Sequence, residues 1–568
     1  MKNRINLKIA VFIAALSFFV LPVPGQTARP DFNRSSDYDV QHYVIRVSFD
    51  QAKKQVFGDT TVRLKPLKDG YKRVVLDSIG ISYSSVALEG GDIPLTFKTQ
   101  GKSVIVDLDR EYSAGETVAV RFKYTATPKK GIYFVAERKA SEGFPGHSAQ
   151  IWTQGEPEEA RYWFPSFDFP SDKATAEQFI TAKKGDSVIG NGAFLGKADN
   201  PDGTSTHHFR MDVPFPTYLV SFVVGGYVRI DEKYKEIPLG YYVYPGTESI
   251  VPKAYGKTKE MFRIFEDITK IDYPFVKYDQ TIVASFSFGG MENITATTMA
   301  DSEIFLAGNP LFGGGVEDLV SHELAHSWFG NLVTCKNWAE LWLNEGFATF
   351  FEAVSREKLY GREAYIFKVM NDAERFLAED AVNTKRHGLF NRNAADVDSL
   401  FDRAGTTYNK GGAVLHTLRE QVGEEAFWKG VNVYLNRHKY GSVETTDLKK
   451  AMEESSGQDL GWFFDQWVYG LGAPKLTVRH TYAAASRTLT VTITQTQRQE
   501  RFTPAAFKLP LDIEIQTPRG TVSDKAEVDA RIKTFRYKVP ARPSKIVVDK
   551  NEKIPVKSVR IVAGPAPR

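Results

Sequence analysis

From Asp37 to about Tyr227, apolar residues recur at every second position. Tyr43, Ile45, Val47 and Phe49 alternate with polar neighbours, as do Val104, Val106 and Leu108, and then Val118, Val120 and Phe122. A period of two places each set on one face of a half-buried strand. Turn clusters such as Glu89-Gly90-Gly91-Asp92 and Asp199-Asn200-Pro201-Asp202-Gly203 separate the runs, so the stretch predicts an antiparallel, sheet-rich first domain. Gln154-Gly155-Glu156-Pro157-Glu158-Glu159-Ala160-Arg161 and Trp163-Phe164-Pro165-Ser166-Phe167-Asp168-Phe169-Pro170 break the alternation with acids, aromatics and prolines. Taken alone, that segment reads equally well as a solvated acidic loop and as a loop with a function.

After Tyr227 the pattern changes. A short β stretch at Leu239 to Val243 precedes a helical run from Val251 to about Thr269, and the apolar Thr281 to Phe288 ends in Gly289-Gly290-Met291-Glu292-Asn293. Glycines there let backbone approach something closely. A long helical region then runs to about Gly470, with Tyr408 at the head of the Ala413 to Val422 pattern, and with Thr446 as N-cap and Gly457 as stop of a later helix. At Gly472-Ala473-Pro474 the period returns to two. Leu489, Val491 and Ile493, then Leu511, Ile513 and Ile515, and the apolar run Ile546 to Val548 predict a small C-terminal β-sandwich. The fold class is therefore multidomain α+β, divided as residues 26–228, 229–471 and 472–568, with a frayed tail from Gly564 to Arg568.

The chemistry concentrates between Val320 and Phe351. His322 and His326 in His-Glu-Leu-Ala-His lie one helical turn apart on one face and can hold one metal ion. Glu345 follows after 18 intervening residues (327 to 344), enough for the first helix to end near Gly330-Asn331 and a second to return a carboxylate to the same ion. Two imidazoles and a carboxylate leave a tetrahedral zinc with an open position for water. Glu323, roughly 100° around the helix from His322, is placed to take that water's proton. With ten histidines in 568 residues, a chance H-E-x-x-H is roughly a one-in-a-hundred event. A core helix with hydrogen-bonded histidines is the plain alternative, and it leaves the adjacent acid without a purpose.

A chain of 568 residues, 42% hydrophobic and 25% charged, exceeds one core and is ordinary for a soluble multidomain protein. Lys2, Arg4 and Lys8 precede an apolar run from Ile9 to Leu21 and then Pro22-Val23-Pro24-Gly25, the three parts of an export signal over residues 1–25, with an uncleaved anchor as the alternative. No other apolar segment approaches the ~20 residues of a membrane span. The formal charge of +4 falls to 4 − 3 = +1 without that leader, which gives no electrostatic case for nucleic acid. Cys335 is the only cysteine, so no intramolecular disulfide forms, and its expected role is that of a small buried residue.

These residues together resemble the gluzincin zinc aminopeptidases, the family of aminopeptidase N and leukotriene hydrolase. The resemblance runs through Tyr38-Asp39-Val40-Gln41-His42-Tyr43, Thr153-Gln154-Gly155-Glu156, Phe164-Pro165-Ser166-Phe167-Asp168 and Thr217-Tyr218-Leu219-Val220. Most specific are Gly289-Gly290-Met291-Glu292-Asn293, the zinc motif with Trp342-Leu343-Asn344-Glu345-Gly346, and Tyr408-Asn409-Lys410-Gly411. It implies a saddle-shaped N-terminal β domain, a thermolysin-like catalytic domain and one Zn2+ per chain. It further implies Tyr408 as a hydrogen-bond donor in the transition state, Glu292 and Glu156 with Gln154 gripping a substrate ammonium, and Gly289, Gly290, Met291 and Asn293 along the substrate. The expected partners are peptides with a free N-terminus. Many relatives carry a further large helical domain over the site, and this chain ends before one could fit, so a more open cleft or a lid from a partner is expected. Ser285-Phe286 resembles the leukotriene hydrolase branch, whereas Glu156 and the β-type C-terminal segment do not, so peptide rather than epoxide hydrolysis is expected. A bifunctional epoxide hydrolase, an endopeptidase and a non-catalytic peptide-binding relative are the alternatives.

Overall fold

The computed structural model describes residues 29–564 apart from 91–92, 142–143 and 383. The expected export signal, Gly91-Asp92 of the Glu89 to Asp92 turn and residues 565–568 of the tail lie outside the described residues. No helix among those described is long and apolar enough to cross a membrane.

The alternating runs fold as strands because only one face of each is covered. A seven-stranded sheet has the order Ala193–Asp199, Thr204–Phe215, Ala174–Lys183, Tyr38–Asp50, Gln55–Pro66, Val118–Ala126, Ile81–Leu88. Neighbours are antiparallel except that Tyr38–Asp50 runs parallel to Ala174–Lys183, with Ile45 opposite Gln178. The long connection between those two strands makes the parallel pairing possible, and it gives the last two strands to a four-stranded sheet of order Ser187–Gly190, Phe222–Gly225, Gln150–Thr153, Ile132–Val135. Val62, Leu64, Val104, Val106, Val120 and Phe122 are all buried. Burial of such side chains is worth about 1.5–3 kcal/mol each.

The acidic Gln154 to Pro170 segment is not a solvated loop. Gln154, Glu156, Arg161 and Asp168 are all buried. Arg161 makes ion pairs with Asp168 at 3.1 Å and Glu158 at 2.7 Å, and Asp168 accepts a hydrogen bond from Thr217 at 2.8 Å. These contacts anchor the loop from both sides and fix Gln154 and Glu156 at its start.

The sheet changes between Gly225 and Val228. A second mixed sheet has the order Val228–Tyr234, Ile237–Val243, Tyr278–Val283, Ala296–Ala300, Gly290–Met291. Its edge strand is the two-residue Gly290–Met291, antiparallel to Ala296–Ala300 with Met291 opposite Thr298, so Glu292 leaves the sheet at an edge. Helices Gly313–Ala325, Trp342–Tyr360, Arg362–Asp380 and Gly411–Val422 follow. After Gly472 come a sheet of four strands and one of three, with Leu489, Val491, Ile493, Leu511, Ile513 and Ile515 buried. His416 ties this region to the helices: its Nδ1 lies 2.7 Å from the Tyr365 hydroxyl and its Nε2 2.9 Å from the Glu552 carbonyl.

Three local expectations are corrected. The first metal helix ends at Ala325 with His326 as its C-cap, rather than near Gly330, because Trp328 and Phe329 turn inward to pack on Phe265 and Phe347. The run from Val251 to Thr269 is broken into Val251–Ala254 and Thr258–Thr269. The later helix is Thr445–Ser456, capped by Glu444 and Asp447 in a reciprocal box rather than by Thr446, and Gly457 stops it in the left-handed conformation. Cys335 is fully buried on the short strand Thr334–Cys335.

Candidate active site

His322 and His326 keep one face although the helix ends early, because His326 N–H still donates to the His322 carbonyl at 3.2 Å. The next helix, Trp342–Tyr360, brings Glu345 Oε2 to 3.2 Å from His322 Nε2 and 3.4 Å from His326 Nε2. The outer nitrogens are occupied. His322 Nδ1 donates to Glu352 at 2.8 Å and His326 Nδ1 to the Phe329 carbonyl at 2.8 Å, which turns both Nε2 atoms toward Glu345. Such outer partners fix ring orientation and tautomer in metal sites.

The donors of His322, His326 and Glu345 lie within 4.8 Å of one another, the arrangement a metal ion requires. Two other groupings share that spacing, Glu292 with Glu323 and His326, and Glu156 with Glu292 and Glu345. Only the first uses both imidazoles, each already oriented from behind. Nitrogen and carboxylate donors in this number suit zinc, and the carboxylate surplus favours a cation. Burial acts to lower the His326 pKa, yet Glu292 and Glu345 push it up to about 9. Burial likewise raises Glu323, to about 8, against the pull of the two histidines.

Glu323 sits where only glycine leaves room for it. A Cβ on Gly290 would lie 2.3 Å from Glu323 Oε1. The other oxygen, Oε2, is buried without a hydrogen-bond partner among the described residues and so has capacity for a proton or a donor. Gly289 and Asn293 flank the same strand, Asn293 bonding Thr298 at 3.0 Å, and Met291 Sδ lies 3.2 Å from Gln154 Nε2.

Glu292 and Glu156 arrive from different domains. Both are buried, their carboxylates lie within 4.8 Å of each other and of Glu345, and Oε1 of each lacks a hydrogen-bond partner among the described residues. Burial raises both pKa values; for Glu156 the repulsion from Glu292 adds to it. Two buried acids in this state are stabilised by an added cation.

Tyr408 enters on a π-helical turn, Gly405–Lys410, and its ring stacks on His322 with centroids 5.9 Å apart and planes 12° from parallel. Burial, followed by Glu345 and the other nearby acids, holds its phenol pKa well above the ordinary value, so the hydroxyl keeps its proton. The helix after it crosses the Glu345 helix backbone on backbone, since a Cβ on Gly411 would lie 2.7 Å from Gly346 Cα. Gln154, Glu156, Glu292, Glu323, Glu345, both histidines and Tyr408 line one cleft of about 720 Å³, whose rim carries Leu311, Phe312 and Phe401. Of the candidates from the sequence, Asn293 is the one that does not line this cleft: it is buried behind Glu292, where it bonds Thr298. Glu352 was not singled out there, although it stands two helical turns after Glu345 on the same face.

A model of the peptidase family M1 domain matches residues 253–467, and a model of the peptidase M1 N-terminal domain matches residues 39–219. Among curated proteins, the chain is 30% identical over 415 residues to Aminopeptidase 2 of Candida albicans, covering 71% of this chain and 44% of that protein. It is 32% identical over 334 residues to glutamyl aminopeptidase of Rattus norvegicus, covering 57% and 35%. It is 27% identical over 497 residues to Probable aminopeptidase 1 of Sulfurisphaera tokodaii, covering 85% and 59%. The chain spans 35% to 59% of the length of these relatives.

Proposed function

Since the chain belongs to peptidase family M1, we propose that it is a zinc aminopeptidase that removes the N-terminal residue of peptides. The observation that carries this reading is the pair Glu156 and Glu292, buried and short of hydrogen bonds beside the His322, His326 and Glu345 cluster. A peptide α-amine has a pKa of about 8 and is mostly cationic at neutral pH. Placed between the two carboxylates it relieves their repulsion, and its position sets the first peptide bond over the cluster.

His322, His326 and Glu345 would hold the zinc ion, which when bound would supply Lewis acidity toward a carbonyl and toward water near neutral pH. Glu323 accepts a proton from the attacking water and delivers it to the leaving amine, so one carboxylate serves as base and then acid. Tyr408 donates its hydroxyl proton in a hydrogen bond to the carbonyl oxygen as negative charge develops there. Glu352 and the Phe329 carbonyl hold the imidazoles in place throughout. We also infer export through residues 1–25, on the composition of that leader alone.

Aminoacyl amides with a fluorogenic leaving group and their N-acetylated counterparts test the proposal directly. A site built for a charged group rejects analogues lacking it by about 10⁴, so turnover of the acetylated series is expected to be negligible. Equal turnover of both series would replace this reading with an endopeptidase.

Tyr408→Phe is expected to keep fold and zinc while lowering kcat and kcat/KM together by about 10²-fold, the loss of one transition-state donor. A raised KM at unchanged kcat would place Tyr408 in substrate binding instead.

A further inference from the structure

We propose that Lys368 is the centre of a buried bridge that fixes Tyr408 against the metal ligand His322, so that the two move as one unit. This rests on the proposed roles of His322 and Tyr408. The bridge is continuous. His322 Nδ1 donates to Glu352 Oε1 at 2.8 Å, and the other oxygen of Glu352 pairs with Lys368 Nζ at 2.8 Å. Lys368 Nζ donates to both oxygens of Asp372, at 2.8 and 2.7 Å, and Asp372 Oδ1 accepts from Asn409 Nδ2 at 2.8 Å. Asn409 is the residue after Tyr408, whose ring closes the circuit by stacking on His322.

The elements behind these contacts show what is being held. Lys368 and Asp372 stand one turn apart on the helix Arg362–Asp380, which forms no part of the metal cluster. The same helix supplies Glu379, which accepts from Gly405 N–H at 2.8 Å and Thr406 N–H at 3.0 Å. That helix therefore grips the π-helical turn twice, once at its start and once beside Tyr408. A π turn is rare and has poor intrinsic stability, so its shape needs such external support. Lys368 is 7% exposed and Asp372 2%. Burying charges at that depth carries a desolvation penalty that an apolar filling would avoid, so filling space does not account for them. What the charged chain adds is directional bonding. Each link constrains the next, and a donor displaced by 1 Å can lose about 10² in rate.

The decisive variants separate this bridge from general stability. Asn409→Ala removes only the last link and leaves Lys368 paired with Glu352 and Asp372. It is expected to fold with an unchanged melting temperature and to lower kcat about tenfold on a free-amine aminoacyl amide, with KM unchanged. Glu352→Gln loosens the other end and is expected to weaken zinc about tenfold, as outer-partner changes do. In the double variant, the loss in kcat is expected to be smaller than the product of the two single losses, the signature of groups within one network. A loss equal to that product, or an unchanged kcat in Asn409→Ala, overturns the bridge. Zinc competition against a chelator gives a readout independent of turnover. Lys368→Met is expected to bind zinc about tenfold more weakly and Lys368→Arg to recover most of that loss. Parent-like zinc affinity in folded Lys368→Met also overturns the proposal. If the parent protein turned over no free-amine substrate, the proposed function would fall, while the zinc measurements would still decide whether Lys368 acts on His322.

Discussion

Replacing Glu323 by glutamine is expected to leave zinc bound and to lower kcat by about 10³- to 10⁴-fold, at the upper end of what one general base contributes. The substitution is nearly isosteric, so it fits the space that Gly290 leaves, where a Cβ would come within 2.3 Å of the carboxylate. What changes is proton affinity: an amide cannot take a proton from water near neutral pH. The experiment is a pair of measurements on one preparation, zinc per chain and kcat on a free-amine substrate. If zinc were lost along with activity, Glu323 would belong to the ligand set. The grouping of Glu292, Glu323 and His326, also within 4.8 Å, would then be the true one.

Glu345→Ala, and likewise His322→Ala or His326→Ala, is expected to abolish turnover by a different route. Structural zinc sites of four ligands bind with about 10–16 kcal/mol, or about 2.5–4 kcal/mol per ligand and a loss of roughly 10²- to 10³-fold in affinity for each one removed. Glu345 lies against both imidazoles, at 3.2 and 3.4 Å, so its loss also removes the carboxylate between the two Nε2 atoms. Zinc content after dialysis against a chelator is the measurement. Full occupancy in Glu345→Ala would remove this residue from the ligand set. Cobalt or zinc added back in excess is expected to restore part of the activity only if the remaining two donors still gather the ion.

The contrast between these variants shows which parts of the site are legible in the sequence. His322, Glu323 and His326 are readable because a helix converts spacing into direction, and Glu345 because it completes a donor set. Glu352 is readable on the same principle, two turns beyond Glu345, once one asks what orients the first histidine. Lys368 and Asp372 are not. A Lys and an Asp four apart on a helix look like an exposed pair, and only the packing of three helices around them makes the pair a buried one. The π turn at Tyr408 is equally silent, since an i→i+5 bond asks for no particular residue. In the strands, alternation reveals which face is covered but not which strand lies alongside, so the parallel pairing of Tyr38–Asp50 with Ala174–Lys183 emerges only from the fold. Thr446 is a sound cap on local grounds. The structure uses Glu444 because the neighbouring Thr445 is drawn to Glu340, its hydroxyl donating at 2.5 Å.

The crossing at Gly346 and Gly411 sets the width of the site by backbone alone. At that contact no side chain lies between the two helices, so there is no rotamer to adjust there and no methyl group to trim, and the crossing works like a machined stop. Even alanine at Gly411 would act as a shim, its Cβ meeting Gly346 Cα at 2.7 Å and pressing the two helices apart at the crossing. The rim, by contrast, is set by side chains, Leu311, Phe312 and Phe401 among them, which can be exchanged without moving that crossing.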